Sequence, residues 1–96
     1  MAADSDHELI ARIRAGDALA LKTLYARHRV AVYRFSLRLT RSETTAEDVV
    51  SEVFVDVWRN AAGFEGRSEV QTFLLAMASE EAESQTQRVE RRPTLH

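Results

Sequence analysis

Cysteine is absent from the 96 residues, which removes disulfides, thiolate metal sites and cysteine nucleophiles from consideration. Proline occurs once, at Pro93, and glycine three times, at Gly16, Gly63 and Gly66; so few breakers favour long helices joined by few turns. No apolar run approaches the roughly eighteen residues of a membrane span, and the opening MAADSDHE is acidic where a secretory signal is basic and then apolar. A soluble, cytoplasmic protein with no membrane partner is the expectation. No glycine-rich phosphate loop is present, because Gly63 and Gly66 are split by Phe64 and Glu65 and fit no nucleotide fingerprint. His7, His28 and His96 lie far apart with no metal-ligand spacing, and His28 falls on an apolar helix side, where a satisfied structural histidine is expected. No catalytic residues, no cofactor and no metal are expected, and the chain reads as a non-enzyme.

What remains is an apolar repeat and a segregated charge pattern. At this length the chain is one domain, able to withdraw roughly 60 to 65% of its unfolded surface from water. Its net charge of −2 hides a basic stretch (Arg12, Arg14, Lys22, Arg27, Arg29, Arg34, Arg38, Arg41) followed by an acidic one (Glu43, Glu47, Asp48, Glu52, Asp56). Such asymmetry concerns surfaces and partners more than fold. Either the two stretches pair with each other, or each faces a partner of its own.

The apolar spacing predicts an all-α fold, a compact bundle of about four helices spanning residues 1–92, with 93–96 a disordered end. The first helix covers about Asp6 to Ala15, and Gly16 suits the left-handed residue that ends it. Asp17 then caps a helix of more than twenty residues, with Leu21, Leu24, Tyr25, His28, Val32, Phe35 and Leu39 on its apolar side. Thr44 and Glu47 form a capping box for a third helix starting near Thr45 and ending near Asn60. Its core stripe is Ala46, Val49, Val50, Val53, Phe54, Val57 and Trp58. Residues 61 to 67 are a loop, and Ser68 with Gln71 forms the box that opens the fourth helix at Glu69. Beyond Ala78 only Ala82 and Val89 are apolar, so this helix is expected to fray or project into solvent.

In this order, GDALALKTLYARHRVAVYRF, then AEDVVSEVFVDVWRNAAGF, then a helix beginning QTFLLAMA, the chain resembles region 2 of the extracytoplasmic-function sigma factors, which direct bacterial RNA polymerase to promoters. The resemblance rests most specifically on Gly16-Asp17, on Ala46-Glu47-Asp48 with Glu52, Phe54 and Trp58, and on Phe64. It implies a small helical bundle whose third and long helices dock on the clamp helices of the polymerase beta-prime subunit, with Asp48, Val49, Ser51, Glu52 and Asp56 in contact. It further implies that the loop and fourth helix take part in recognising and melting the minus-ten promoter element, with Asn60, Gly63, Phe64, Gly66, Arg67 and Ser68 lining or shaping that loop. Phe64 also reads as a plug closing the bundle end. An anti-sigma factor is a further implied partner.

Three departures qualify the resemblance. Ser51 stands where the family usually has Gln, which shortens the polymerase-facing side chain. Phe73 stands where Trp is frequent and keeps an aromatic core residue. Glu80, Glu81 and Glu83 stand where the family has Asn and basic residues facing DNA. A carboxylate about 8 Å from a phosphate costs on the order of 1 kcal/mol at an effective dielectric near 40, so this face opposes promoter DNA. The alternative is therefore a sigma-like protein-binding module that has lost DNA melting, a decoy or anti-sigma ligand. An unrelated bundle that buffers metal through Asp48, Glu52 and Asp56 is the third reading. The upstream promoter element is read in full sigma factors by a second, helix-turn-helix domain, so the chain is expected to be a fragment or a lone region 2.

Overall fold

The computed structural model describes residues 5–64, 66 and 69–91, with side chains up to residue 88. Helix α1 (Asp6–Arg14) begins where the Ser5 hydroxyl accepts the Glu8 N–H at 3.1 Å, with Asp6 and Glu8 in its first turn and Arg12 and Arg14 in its last, both favourable to the helix dipole. Gly16 follows at φ 92, a conformation that suits glycine, and its N–H bonds back to Ile13 at 2.9 Å. Asp17 then caps α2 (Ala18–Thr40), one carboxylate oxygen accepting the N–H groups of Leu19 and Ala20 and the other taking the Arg12 guanidinium at 3.0 Å. The Arg12 bond, aided by these amides, holds the Asp17 carboxyl below its usual range.

Helix α3 (Glu43–Asn60) starts two residues before the expected Thr45. Its cap is Ser42, whose hydroxyl accepts the Thr45 N–H at 3.2 Å, so the Thr44–Glu47 box is not the device used. A 3₁₀ turn (Ala61–Gly63) leads to Phe64, and α4 (Val70–Arg91) completes the bundle. The expected Ser68 cap and the end at 93–96 lie outside the described residues. The Gln71 Oε1 lies 3.1 Å from His28 Nδ1.

Helices α2, α3 and α4 pack against one another, and α1 lies across α2 and the 3₁₀ turn. Two rows at four-residue steps make the seams: Ala20, Leu24, His28, Val32 and Ser36 on α2, and Val70, Leu74, Ala78 and Ala82 on α4. Rows at this spacing are the ridges by which helices interlock. The second row extends the packed part of α4 one turn past Ala78, to the buried Ala82, beyond which the helix continues with Glu83, Thr86, Gln87 and Arg88 exposed, projecting as the sequence suggests. Helix α3 contributes Val49, Val50, Val53, Phe54 and Val57, and α1 contributes Leu9, Ile10 and Ile13. Three expected core residues are exposed instead: Trp58 (42%), Tyr25 (42%) and Leu39 (50%). Trp58 lies about 100° round the helix from Val57, which places it past the edge of the buried stripe.

Candidate protein and nucleic-acid interface

Along the seam between α2 and α3 the helices leave a trough. One stretch, of about 420 Å³, is bordered by Arg29, Val30, Tyr33, Glu47 and Val50; the next, of about 540 Å³, by Leu21, Phe54, Val55, Trp58 and Arg59. Tyr25 and Ser51 border both, so the two stretches are continuous. The Tyr25 ring packs edge-on against Phe54 at 5.1 Å between centroids, which holds one wall in place. At the other end Tyr33 is pushed above the usual phenol range, first by desolvation and then by the nearby Glu43 and Glu47 carboxylates.

Among the described residues Glu47 is the one α3 carboxylate lining this trough, beside Arg29 and Arg59; Asp48, Glu52 and Asp56 lie outside its lining, and Glu52 and Asp56 lie near Glu81 of α4. Asp48, Ser51 and Glu52 are exposed and Asp56 is half-buried, whereas Val49 is fully buried and supports the face from beneath without reaching solvent. Among the described residues no ion pair joins the arginines of α2 to the carboxylates of α3. The opposed charges seen in the sequence are thus not consumed by each other. The acidic surface also extends onto α4: Glu81 is held above the usual carboxylate range by burial first, then by Glu52 and Asp56, with Arg88 at 3.5 Å as partial compensation. Glu80 and Glu83 are exposed, so the three glutamates do not form one outward cluster; Glu81 turns toward α3. Among the described residues no three His, Asp or Glu side chains converge as a metal site, which leaves the metal-buffering reading without a site there.

At the bundle end, Asn60, Gly63 and Gly66 are exposed, and Gly66 has φ 76, a backbone that favours glycine. Phe64 is buried at 8%, its ring between His7 at 5.3 Å and Phe73 at 4.9 Å. In this conformation it closes the core, as the plug reading has it. Arg67 and Ser68 lie outside the described residues. A polar cluster supports this end: His28 Nε2 lies 2.6 Å from Asp6 Oδ2, and Arg27 donates to Asp6 Oδ1 at 3.0 Å. Partial burial raises the Asp6 carboxyl, but the bonds and charges of Arg27 and His28 outweigh it and leave it below the usual range.

Sequence reasoning missed the trough because it assigned Tyr25 and Trp58 to the core. The signal was present in part: each aromatic sits at the flank of its helix stripe, where a ring is shared between core and solvent.

A helical bundle whose main surface features are an open trough, an acidic flank on α3 and a glycine-containing end belongs to the class of macromolecular interaction modules. The chain belongs more particularly to the Sigma-70 region 2 family, whose model matches residues 24–92. Among curated proteins it is similar to the ECF RNA polymerase sigma factor SigK of Mycolicibacterium vanbaalenii, 33% identical over 57 residues, covering 59% of this chain and 29% of that protein. It is also similar to SigL of Mycobacterium tuberculosis, 37% identical over 46 residues (48% of this chain, 26% of SigL), and to SigK of Mycobacterium bovis BCG, 29% identical over 75 residues (77% and 40%). The chain thus spans less than half the length of these relatives. Among the described residues no helix is long and apolar enough to cross a membrane.

Proposed function

We propose that the domain binds core RNA polymerase through α3 and the α2–α3 trough, the beta-prime clamp helices meeting Ser51 at the trough and Asp48, Glu52 and Asp56 on the adjoining flank of α3, with Val49 supporting that helix from within the core. The observation that carries the reading is the continuous trough between α2 and α3, with Tyr25, Phe54, Val55 and Trp58 along it and Ser51 in both stretches, next to a flank of α3 whose carboxylates no basic side chain of α2 neutralises. Apolar area supplies affinity to such a site, while unpaired charge supplies orientation and selectivity for a cationic partner. Asn60, Gly63, Phe64, Gly66, Arg67 and Ser68 take part in minus-ten recognition and melting, the exposed glycines allowing close approach of a nucleotide. The domain acts without catalysis, in the cytoplasm, and an anti-sigma factor that covers the same trough would block polymerase.

The test is equilibrium binding to a beta-prime clamp-helix fragment by the protein and by an Asp48→Lys, Glu52→Lys variant. Loss of roughly 3 kcal/mol or more of binding on the double reversal is expected for two partner charges left unpaired. Unchanged affinity in a folded variant would refute the docking mode. Exposed Glu80 and Glu83 favour a second reading, in which the module retains protein binding and has lost minus-ten melting. Clamp binding together with no affinity for a minus-ten single strand would select it.

A further inference from the structure

We infer that the solvent-facing arginines of α2, and not the acidic α4, form a phosphate-contacting stripe for double-stranded DNA. Arg27, Arg34 and Arg38 follow at steps of seven and four residues, the helical repeat, and so share one side of α2 over about 16 Å at 1.5 Å per residue, with Arg41 at the cap that ends the helix. Arg27 is tied to Asp6 at 3.0 Å. Arg34, Arg38 and Arg41 are exposed, and none forms an ion pair among the described residues. In a protein of net charge −2, with carboxylates elsewhere on its surface, three such cations are left for an external anion.

Arg41 adds an independent observation. It occupies the C-cap of α2 at φ 56, the one non-glycine residue with positive φ among those described. Glycine or asparagine fits that backbone at less strain, so an arginine kept there points to a use for its side chain. A linear stripe of guanidinium groups is complementary to the regularly spaced phosphates of a duplex strand. The stripe lies outside the trough and needs no polymerase, so it stands or falls separately from the docking reading.

The experiment is fluorescence anisotropy of the whole chain with a labelled duplex of arbitrary sequence, repeated across a salt series, comparing the protein with an Arg34→Gln, Arg38→Gln, Arg41→Gln variant. Each phosphate contact adds about 0.9 to the slope of log affinity against log salt, so the triple variant is expected to lose about 2 to 3 from that slope. The corresponding Lys variant is expected to retain most of the binding, which separates lost charge from lost fold; circular dichroism checks both. An Arg14→Gln, Lys22→Gln variant, altered off the stripe, is expected to bind as the parent does. The inference is overturned if the parent shows no duplex binding at low salt, if the Gln triple keeps the parent's slope, or if the off-stripe variant loses as much as the triple.

Discussion

Arg41 shows how one residue can serve two opposed demands. Its backbone sits in the left-handed region at φ 56, a place where a side chain costs about 1 to 2 kcal/mol relative to glycine. Arg41→Gly should therefore stabilise the fold by about 0.5 to 1 kcal/mol once glycine's larger unfolded-state entropy is deducted, a Tm rise of about 3 to 5 °C. Thermal melts read that gain, and the duplex titration should show weaker binding in the same variant. A variant that melts no higher than the parent would remove the strain argument. Residue-scale features were legible in the sequence wherever one local signal stood alone. Gly16 followed by Asp17 admits one reading, and both act as that reading requires. Before α3, Ser42, Thr44 and Thr45 are all capping types, and only the path of the chain out of Arg41 selects Ser42.

Between elements, the contact of α3 with α4 brings carboxylates together that the sequence sets about thirty positions apart. Glu81 meets the field of Glu52 and Asp56, and burial adds to it, so its ionised form is disfavoured in the folded protein. A carboxyl raised on folding contributes its stability below its ordinary value and loses it as pH rises through the folded one. Glu81→Gln should accordingly raise Tm at pH 7 and leave it nearly unchanged near pH 4, where the parent's carboxyl is already protonated; paired melts at the two values decide it. A Tm no higher at pH 7 would show that Arg88 already compensates the charge. Helix number, order and core stripes could be read from spacing, since periodicity reports which side of a helix is apolar. Which neighbour each flank meets depends on how the helices cross. That is why Tyr25 and Trp58, expected in the core, border the trough, and why Glu81 separates from Glu80 and Glu83.

Across the whole molecule, α1 and the first turn of α4 are joined through α2 by a single polar cluster. Asp6 accepts from Arg27 and lies against His28, whose other ring nitrogen lies against Gln71, so four side chains from three helices share one network. The sequence placed His28 as a structural histidine but gave no partner for it, because Asp6 lies 22 positions away and Gln71 lies 43. Asp6→Asn removes the charge and leaves Arg27 and His28 one amide oxygen in place of two carboxylate oxygens, which should cost about 1 kcal/mol of stability at pH 7. The pH dependence has the opposite sign to that of Glu81. Because the folded Asp6 carboxyl lies below its ordinary value of 3.8, its contribution is present above that value and fades as pH falls through the folded one. Urea unfolding of parent and Asp6→Asn should therefore differ at pH 7 and converge toward about pH 3 as the parent's carboxyl takes up its proton. Amide exchange should locate the loss in α1 and at Gln71 if the cluster ties those elements. A difference that persists unchanged into acid would assign the cost to the side-chain amide itself and not to the carboxylate's charge.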